Sequence, residues 1–403
     1  MKFELFVARR YLRRRQGRGV SAIALIGIGG VFVGVAATLI VLSLMNGFHQ
    51  ELRTRILGVT PHVTVSRVFG DPLESADSLA NIIRKIPGVR YVAPFVYTKT
   101  MVRSHTLSDG VVVRGIKPEE EIKITDLARN MKEGRFEFQN SGIVLGLELA
   151  RNLNVMVGDT LSLASPFEGR ATPLGMLPRA RKFVVRGVFD AGMYEYNNTL
   201  VYLALDELQQ FLHMGKSVSG LEVRVADVDD AEPMAKRIDG VLGPGYRATD
   251  WITRNHNLFT ALRLEKVVTF IVLVLIVLVA AFNIAGMLIM MTLRKTREIG
   301  ILRAMGATRQ TITRVFTGVG LLIGVTGTAL GTAFGLLVCL LLGRYRFVHL
   351  PGDVYFIKNL PVRIETADFL ITAGVALVIA FLATIYPALR AARLEPVEAI
   401  RYE

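Results

Sequence analysis

The chain has 403 residues and a mass of 44.4 kDa, with 51% hydrophobic and 20% charged residues, a mean hydropathy of +0.42 and a formal net charge of +14. A soluble domain of this length seldom averages so apolar, so a soluble enzyme, a disordered chain and a secreted mini-protein are excluded and membrane spans are sought first. One cysteine, Cys339, rules out an internal disulfide scaffold, and with only six scattered histidines beside it a structural zinc site is not indicated.

In chain order, residues 1–19 form a basic N-terminal segment. Lys2, Arg9, Arg10, Arg13, Arg14, Arg15 and Arg18 stand against Glu4 alone, a net of +6. The window 20–45 then carries no charge, and neither do 267–293, 315–343 and 369–389. About 20 helical residues cross a hydrocarbon core of about 30 Å, and backbone groups in lipid must be satisfied within their own segment. All four windows therefore read as transmembrane helices, assigned to 20–46, 265–293, 315–343 and 368–389. The first is too long for the apolar part of a signal peptide and has no small-residue cleavage site after it, so Arg9 and Arg10 precede an uncleaved span.

The insert 47–264 between the first two spans is ordinary globular sequence. Residues 62–67 (H-V-T-V-S-R) alternate like a strand, and 75–86 have helical spacing ended by Pro87 and Gly88. Stretches 92–94, 98–104 and 110–115 read as further strands. Around 222–225 and 230–238 the pattern of strand and helix returns, with Gly240 ending the helix and a strand near 246–248. The two ends, 47–125 and 221–264, thus look like one α/β part. The middle, 126–220, is β-rich, with strands at 142–145, 159–163, 183–189 and 199–203. The predicted fold is an α-helical membrane domain with four transmembrane helices plus a large external α+β domain of two subdomains.

Enzyme motifs fail in the insert. Met214-Gly215-Lys216-Ser217 resembles the end of a phosphate-binding loop, but Gln210 stands where the first glycine is required. Glu119 with Glu121 and Asp227 with Asp230 read as charge runs on a solvated face. No catalytic triad order or metal spacing appears, so no catalytic residue, cofactor or metal ligand is assigned to this chain. No aromatic-interleaved basic face is present either, which argues against nucleic acid.

The cytoplasmic loop is expected at 294–314, where Arg294, Lys295, Arg297, Arg303, Arg309 and Arg314 face only Glu298. The insert has 27 basic and 25 acidic residues, and 343–368 nets +1. Short basic flanks mark the cytoplasmic side. Both termini and the loop are placed inside, including the C-terminal segment 390–403 with Arg390, Arg393 and Arg401; the insert and 344–367 are placed outside. Within the loop, Ile301, Leu302 and Met305 form one apolar stripe, Gly306 can stop the helix and Thr308 can cap the next. Such a helix can lie flat on lipid or insert into a cytoplasmic partner. In the third span Gly320 and Gly324, then Gly327, Gly331 and Gly335, recur every four residues, as do Gly30 and Gly34 in the first. Small residues at this spacing let helices approach closely, within one four-helix set or across a dimer seam.

Three stretches carry a resemblance. E-I-G-I-L-R-A-M-G-A-T (298–308) and Y-P-A-L-R-A-A-R-L-E-P-V-E-A-I-R-Y-E (386–403) resemble the cytoplasmic loop and ending of the FtsX/MacB superfamily of ABC-transporter permeases. V-L-S-L-M-N-G-F-H-Q-E-L-R-T-R-I-L-G-V-T-P-H-V (41–63) is similar to the LolC/LolE branch, the lipoprotein-releasing permeases. T-P-L-G-M-L-P-R (172–179) with Arg181 looks like the hook of the LolC members, whereas a bottom-up reading allows a Gly/Pro-rich turn on its own domain.

The resemblance implies a MacB-like external domain and a place in the bacterial inner membrane as a permease subunit that releases lipoproteins to a periplasmic LolA-like chaperone. It further implies two LolD-like ATPases that use ATP and Mg, a second permease subunit (LolE-like or another copy), lipoprotein substrates and surrounding membrane lipid. The chaperone-binding hook would comprise Thr172, Pro173, Leu174, Gly175, Met176, Leu177, Pro178, Arg179 and Arg181. ATPase coupling would fall to Glu298, Ile301, Leu302, Met305, Gly306 and Ala307. A lipoprotein cavity would include Leu42, Met45, Asn46 and Phe48, although Met45 and Phe48 also suit ordinary interfacial packing. The alternative within the superfamily is a permease that transmits motion for efflux or cell-wall signalling.

Overall fold

The computed structural model describes residues 4, 6–8, 10, 18–172, 175–345 and 361–393, with backbone alone over 18–23 and 165–179. The described residues fall into two compact units: up to residue 49 with 262–345 and 361–393, and 50–261. The elements run α1 (Arg18–Val59), β1 (Val63–Arg67), α2 (Ala76–Arg84), β2 (Val89–Arg103), β3 (Ser108–Ile116) and α3 (Pro118–Ile124). After a 3-10 turn come β4 (Met131–Gly134), β5 (Gly142–Gly146), α4 (Leu147–Asn152), β6 (Thr160–Thr172), β7 (Gly175–Phe189), α5 (Tyr194–Thr199) and β8 (Leu200–Ala204). Then follow α6 (Leu205–Phe211), β9 (Gly220–Val225), α7 (Ala231–Leu242), β10 (Tyr246–Asp250), α8 (Trp251–Arg254), α9 (His256–Arg294), α10 (Thr296–Ala304), α11 (Arg309–Tyr345) and α12 (Thr366–Ala392).

Four helices among the described residues, α1, α9, α11 and α12, are long and apolar enough to cross a bilayer. Two outrun their charge-free windows. α1 continues through Gly47 to Val59, with no proline before Pro61, and Leu52, Ile56 and Val59 bury one face of the extension. α9 begins at His256, eleven residues before its window.

The glycine stripe of α11 is consumed inside the chain. A Cβ on Gly324 would lie 2.5 Å from the Ala380 Cβ of α12, and one on Gly320 would strike Thr384 of the same helix. The other three glycines turn toward α1: a Cβ on Gly327 would sit 2.7 Å from Val31 Cβ, and one on Gly331 2.8 Å from the Phe32 carbonyl. Gly30 and Gly34 face Asn283 and Ile276 of α9. The four-residue spacing thus packs helices of one four-helix set against each other. Leu39, Leu288, Phe316, Val319 and Ile323 fill the core between them.

The insert forms one ten-stranded sheet, ordered β10-β1-β9-β2-β3-β8-β5-β7-β4, with β6 pairing β2 and β7. The chain ends supply β10, β1, β9, β2 and β3 of this sheet, and the middle supplies the rest. A parallel pairing of β3 with β8, from Val112 opposite Leu200 to Ile116 opposite Ala204, joins them. β2 is one strand where the sequence suggests two, because Pro94 lies just past the end of the β3 ladder and faces only Leu221 of β9. α7 runs through Gly240 and ends instead at Gly243, whose φ of +81° suits glycine.

The solvated reading of Glu119 with Glu121 holds only in part. Glu121 is 2% exposed and takes a hydrogen bond from the Thr125 hydroxyl at 2.8 Å. Burial raises its carboxyl pKa, with the Arg114 charge opposing. Arg114 itself is ion-paired with Glu222, whose side chain is fully buried, and its guanidinium lies over the Phe95 and Tyr202 rings. Burial pushes the Tyr202 phenol up to about 12.

His62 accepts a hydrogen bond at Nδ1 from the Val225 N–H at 3.3 Å. Burial first, and the Arg224 charge second, hold its pKa at about 4 against an ordinary 6.5. The unfolded chain therefore binds a proton where the folded one does not, so this contribution is complete above the unfolded value and is lost as the pH falls toward 4. The thermal midpoint of the full chain in detergent should drop on acidification from about pH 7 to about pH 4.5, and His62→Gln should flatten part of that slope. An identical slope in the variant would remove His62 as its source.

Candidate functional site

Within the membrane unit, α1, α9 and α12 enclose a groove of about 410 Å³. Val31, Val35 and Leu42 line it from α1, Phe270, Val274 and Val277 from α9, and Ile371, Val375 and Ile379 from α12. Among the described residues no charged side chain lines it. Of its two threonines, Thr38 turns its hydroxyl back to the Gly34 carbonyl at 2.8 Å, leaving methyl groups toward the space. Such a surface can hold an acyl chain and little else, because any polar ligand would lose its hydration without compensation.

Of the four residues expected to line a lipoprotein cavity, Leu42 is the one that lines this groove. Met45 and Phe48 are half-buried elsewhere. Asn46 forms part of a clasp: its amide donates to Asp368 Oδ2 of α12 at 2.5 Å. Beside it the Arg363 N–H donates to the Ser43 carbonyl at 3.0 Å, and Gly47 packs so closely on Pro361 and Val362 that no side chain would fit. Asn46 and Asp368 each lie about one helical turn along from groove residues, Leu42 and Ile371. Asp368, Arg363 and Gly47 escaped the sequence reading. The available signal was a polar residue at the outer limit of two separate apolar windows.

The loop helix α10 ends as its sequence dictates. Gly306, at φ +97°, donates to the Arg303 carbonyl and Ala307 to the Leu302 carbonyl, both at 3.0 Å, and the Thr308 hydroxyl accepts the Thr311 N–H at 3.2 Å to start α11. Its apolar stripe splits. Leu302 and Ala307 pack on the core of the membrane unit, whereas Ile301 is 46% and Met305 80% exposed. Glu298 is paired with Lys295 one turn earlier. Ile301 and Met305 are therefore the exposed apolar groups of this helix, and Leu302 is partly buried.

Within 172–179, the described residues Thr172 and 175–179 belong to the two strands of a β-hairpin. β6 and β7 pair from Thr160 opposite Val184 outward to Thr172 opposite Gly175, with a register shift between Ala164 and Gly169. Pro178 stands opposite Gly169, and Pro173 and Leu174 lie outside the described residues. The hairpin base is fixed where Val102 and Arg103 of β2 pair Leu163 and Ser162. Arg181 sits over the buried Phe183 ring, 5.5 Å from its centroid. Among the described residues no group of three His, Cys, Asp or Glu side chains is placed to hold a metal ion.

Two family models match the sequence, the MacB-like periplasmic core domain over residues 24–241 and the FtsX-like permease C-terminal over 270–396. The lipoprotein-releasing system transmembrane protein LolC of Neisseria meningitidis serogroup B is 34% identical over 413 residues, with 99% of each chain covered. The corresponding LolE of Haemophilus influenzae is 29% identical over 416 residues, again with 99% of each covered. Among solved structures, the periplasmic region of MacB from Actinobacillus actinomycetemcomitans covers 51% of this chain and 94% of its own at 15% identity, with a TM-score of 0.35.

Proposed function

The chain belongs to the LolC/LolE family of lipoprotein-releasing transmembrane proteins, and on that premise we propose that it is the permease subunit of an ATP-driven complex that lifts lipoproteins out of the inner membrane. The observation that carries the reading is the charge-free groove between α1, α9 and α12. Each buried methylene holds an acyl chain in the bilayer by about 0.8 kcal/mol, so a lipoprotein leaves only if its chains pass into another apolar environment. The groove supplies such a surface within this chain.

In this reading the termini lie in the cytoplasm and the sheet domain in the periplasm. ATP and Mg are bound and used by two copies of a separate LolD-like ATPase, and a second permease subunit, LolE-like or another copy, completes the membrane part. Ile301 and Met305 on α10 dock on the ATPase, with Gly306 and Ala307 fixing where that helix stops. The tip of the β6–β7 hairpin receives a LolA-like chaperone. Met305→Asp places a charge on the most exposed group of the α10 stripe and should leave ATP hydrolysis running while lipoprotein release falls about tenfold. Release at the normal rate would remove α10 from the coupling path.

The function itself is tested by depleting the protein in its own cell, separating the two membranes and following lipoproteins. Stranding in the inner membrane, reversed by the intact chain and not by one lacking 172–179, supports lipoprotein release with chaperone capture at the hairpin. Unchanged sorting on depletion would instead favour a permease that transmits motion for efflux or signalling.

A further inference from the structure

A second groove, of about 570 Å³, lies on the sheet domain and has no part in the assignments above. Strand alternation brings Thr64 and Ser66 of β1 together with Phe95, Tyr97 and Lys99 of β2, and Thr249 of β10 and Arg254 of α8 close the far side. Among the described residues two cations, Lys99 and Arg254, line it, and no carboxylate does. The Arg254 guanidinium donates to the Thr64 hydroxyl at 2.7 Å and has no ion-pair partner among the described residues. Burial, and next the Arg114 charge, disfavour its charged form even though part of the side chain reaches solvent through the groove. An exposed arginine without an ion-pair partner can take an incoming anion in charge-assisted hydrogen bonds.

The remaining lining is suited to a chain rather than to a compact ion. β10 and β2 are separated by β1 and β9, so the groove crosses three strand spacings, about 14 Å, which is the length of roughly four extended residues. Hydroxyls along this path can donate to and accept from a peptide backbone. The Tyr97 ring, 51% exposed and backed at 6.2 Å by the stacked, buried Phe95 ring, offers an apolar step. On the rim, the turn that contributes Gly70 and Pro72 holds Phe69 almost wholly in solvent, at 91% exposure. The stretch that imitates a phosphate loop borders the same groove through Met214, with Lys216 exposed nearby.

We propose that this groove binds an extended acidic peptide segment, with its carboxylates on Arg254 and Lys99 and an apolar side chain on the Phe95–Tyr97 step. The binding is independent of the lipid-handling groove in the membrane unit and of the hairpin tip.

The test uses the full-length chain in lipid nanodiscs and a fluorescein-labelled dodecapeptide alternating glutamate with leucine, read by anisotropy. Affinity should fall about tenfold when glutamine replaces glutamate in the peptide and about tenfold in Arg254→Gln, with a smaller loss of about threefold in Lys99→Gln. Lys99 is exposed and has no side-chain partner among the described residues, so its variant carries the test even if Arg254→Gln folds poorly. No binding, equal affinity for the glutamate and glutamine peptides, or unchanged affinity in Lys99→Gln would overturn the proposal. Displacement of the peptide by millimolar inorganic phosphate, with chloride inert, would also overturn it in favour of a simple anion site.

Discussion

Gly331→Leu should leave little folded protein in the membrane, whereas Gly286→Leu should accumulate normally. A Cβ on Gly331 already lies 2.8 Å from the Phe32 carbonyl and 3.0 Å from Val35 Cβ, with backbone on one side that cannot move aside. Three further carbons can be accommodated only if α11 and α1 separate, which also opens the Gly327 and Gly335 contacts along the same seam. Overpacking of a tight core costs about 1–3 kcal/mol, and loss of two neighbouring contacts takes the expected cost to the upper end or beyond. Gly286 on α9 meets nothing within 4 Å, so the same change there has space. Comparing membrane-inserted, protease-resistant protein for the two variants checks this. Equal accumulation would mean that α11 and α1 do not meet through these glycines.

Arg114→Met in the sheet domain is the second large effect. It strands Glu222, which has no solvent exposure, and also removes the nearest favourable charge from buried Glu121. Removing one partner of a buried pair costs about 3–5 kcal/mol, because the other must stay desolvated without compensation. The double variant Arg114→Met with Glu222→Leu should recover most of that, since paired apolar replacements of similar volume are often neutral. Thermal unfolding of the two variants in detergent separates the cases. A double variant as unstable as the single would show that Arg114 acts through its stacking on Phe95 and Tyr202 rather than through charge.

Much of this was readable without coordinates, and the limits have physical causes. The four spans follow from the absence of charge over 20 or more residues, which lipid enforces more strictly than any propensity. The end of α10 at Gly306 and the restart at Thr308 were legible because both depend on residue types that satisfy local backbone groups. The partners of the α11 glycines were not legible, since a four-residue stripe looks the same against a neighbouring span or a second molecule. The contact that holds Asn46 was not legible for a related reason. The Asn46 amide is fixed by Asp368, 322 positions away, and no local pattern encodes that contact. Glu121 sits in an acidic run that local composition assigns to water, and only the packing of α3 against the sheet reveals its burial. Leu302 and Met305 share one helical face in sequence, yet the neighbouring core claims one and leaves the other free.

The strand order of the insert also constrains how the protein can be made. β1 pairs with β9 and β10, so Val63 waits for Val223 and Asp250, roughly 160–190 residues downstream, before its ladder can close. At synthesis rates of about 5–20 residues per second that delay is on the order of 10–40 s. Throughout it the Val-Thr-Val run of β1 is an unpaired apolar edge, the kind of segment that other nascent chains can pair with. A chain interrupted before β9 cannot complete this half of the sheet at all. Biogenesis therefore depends on something that shields the early strands until the late ones emerge.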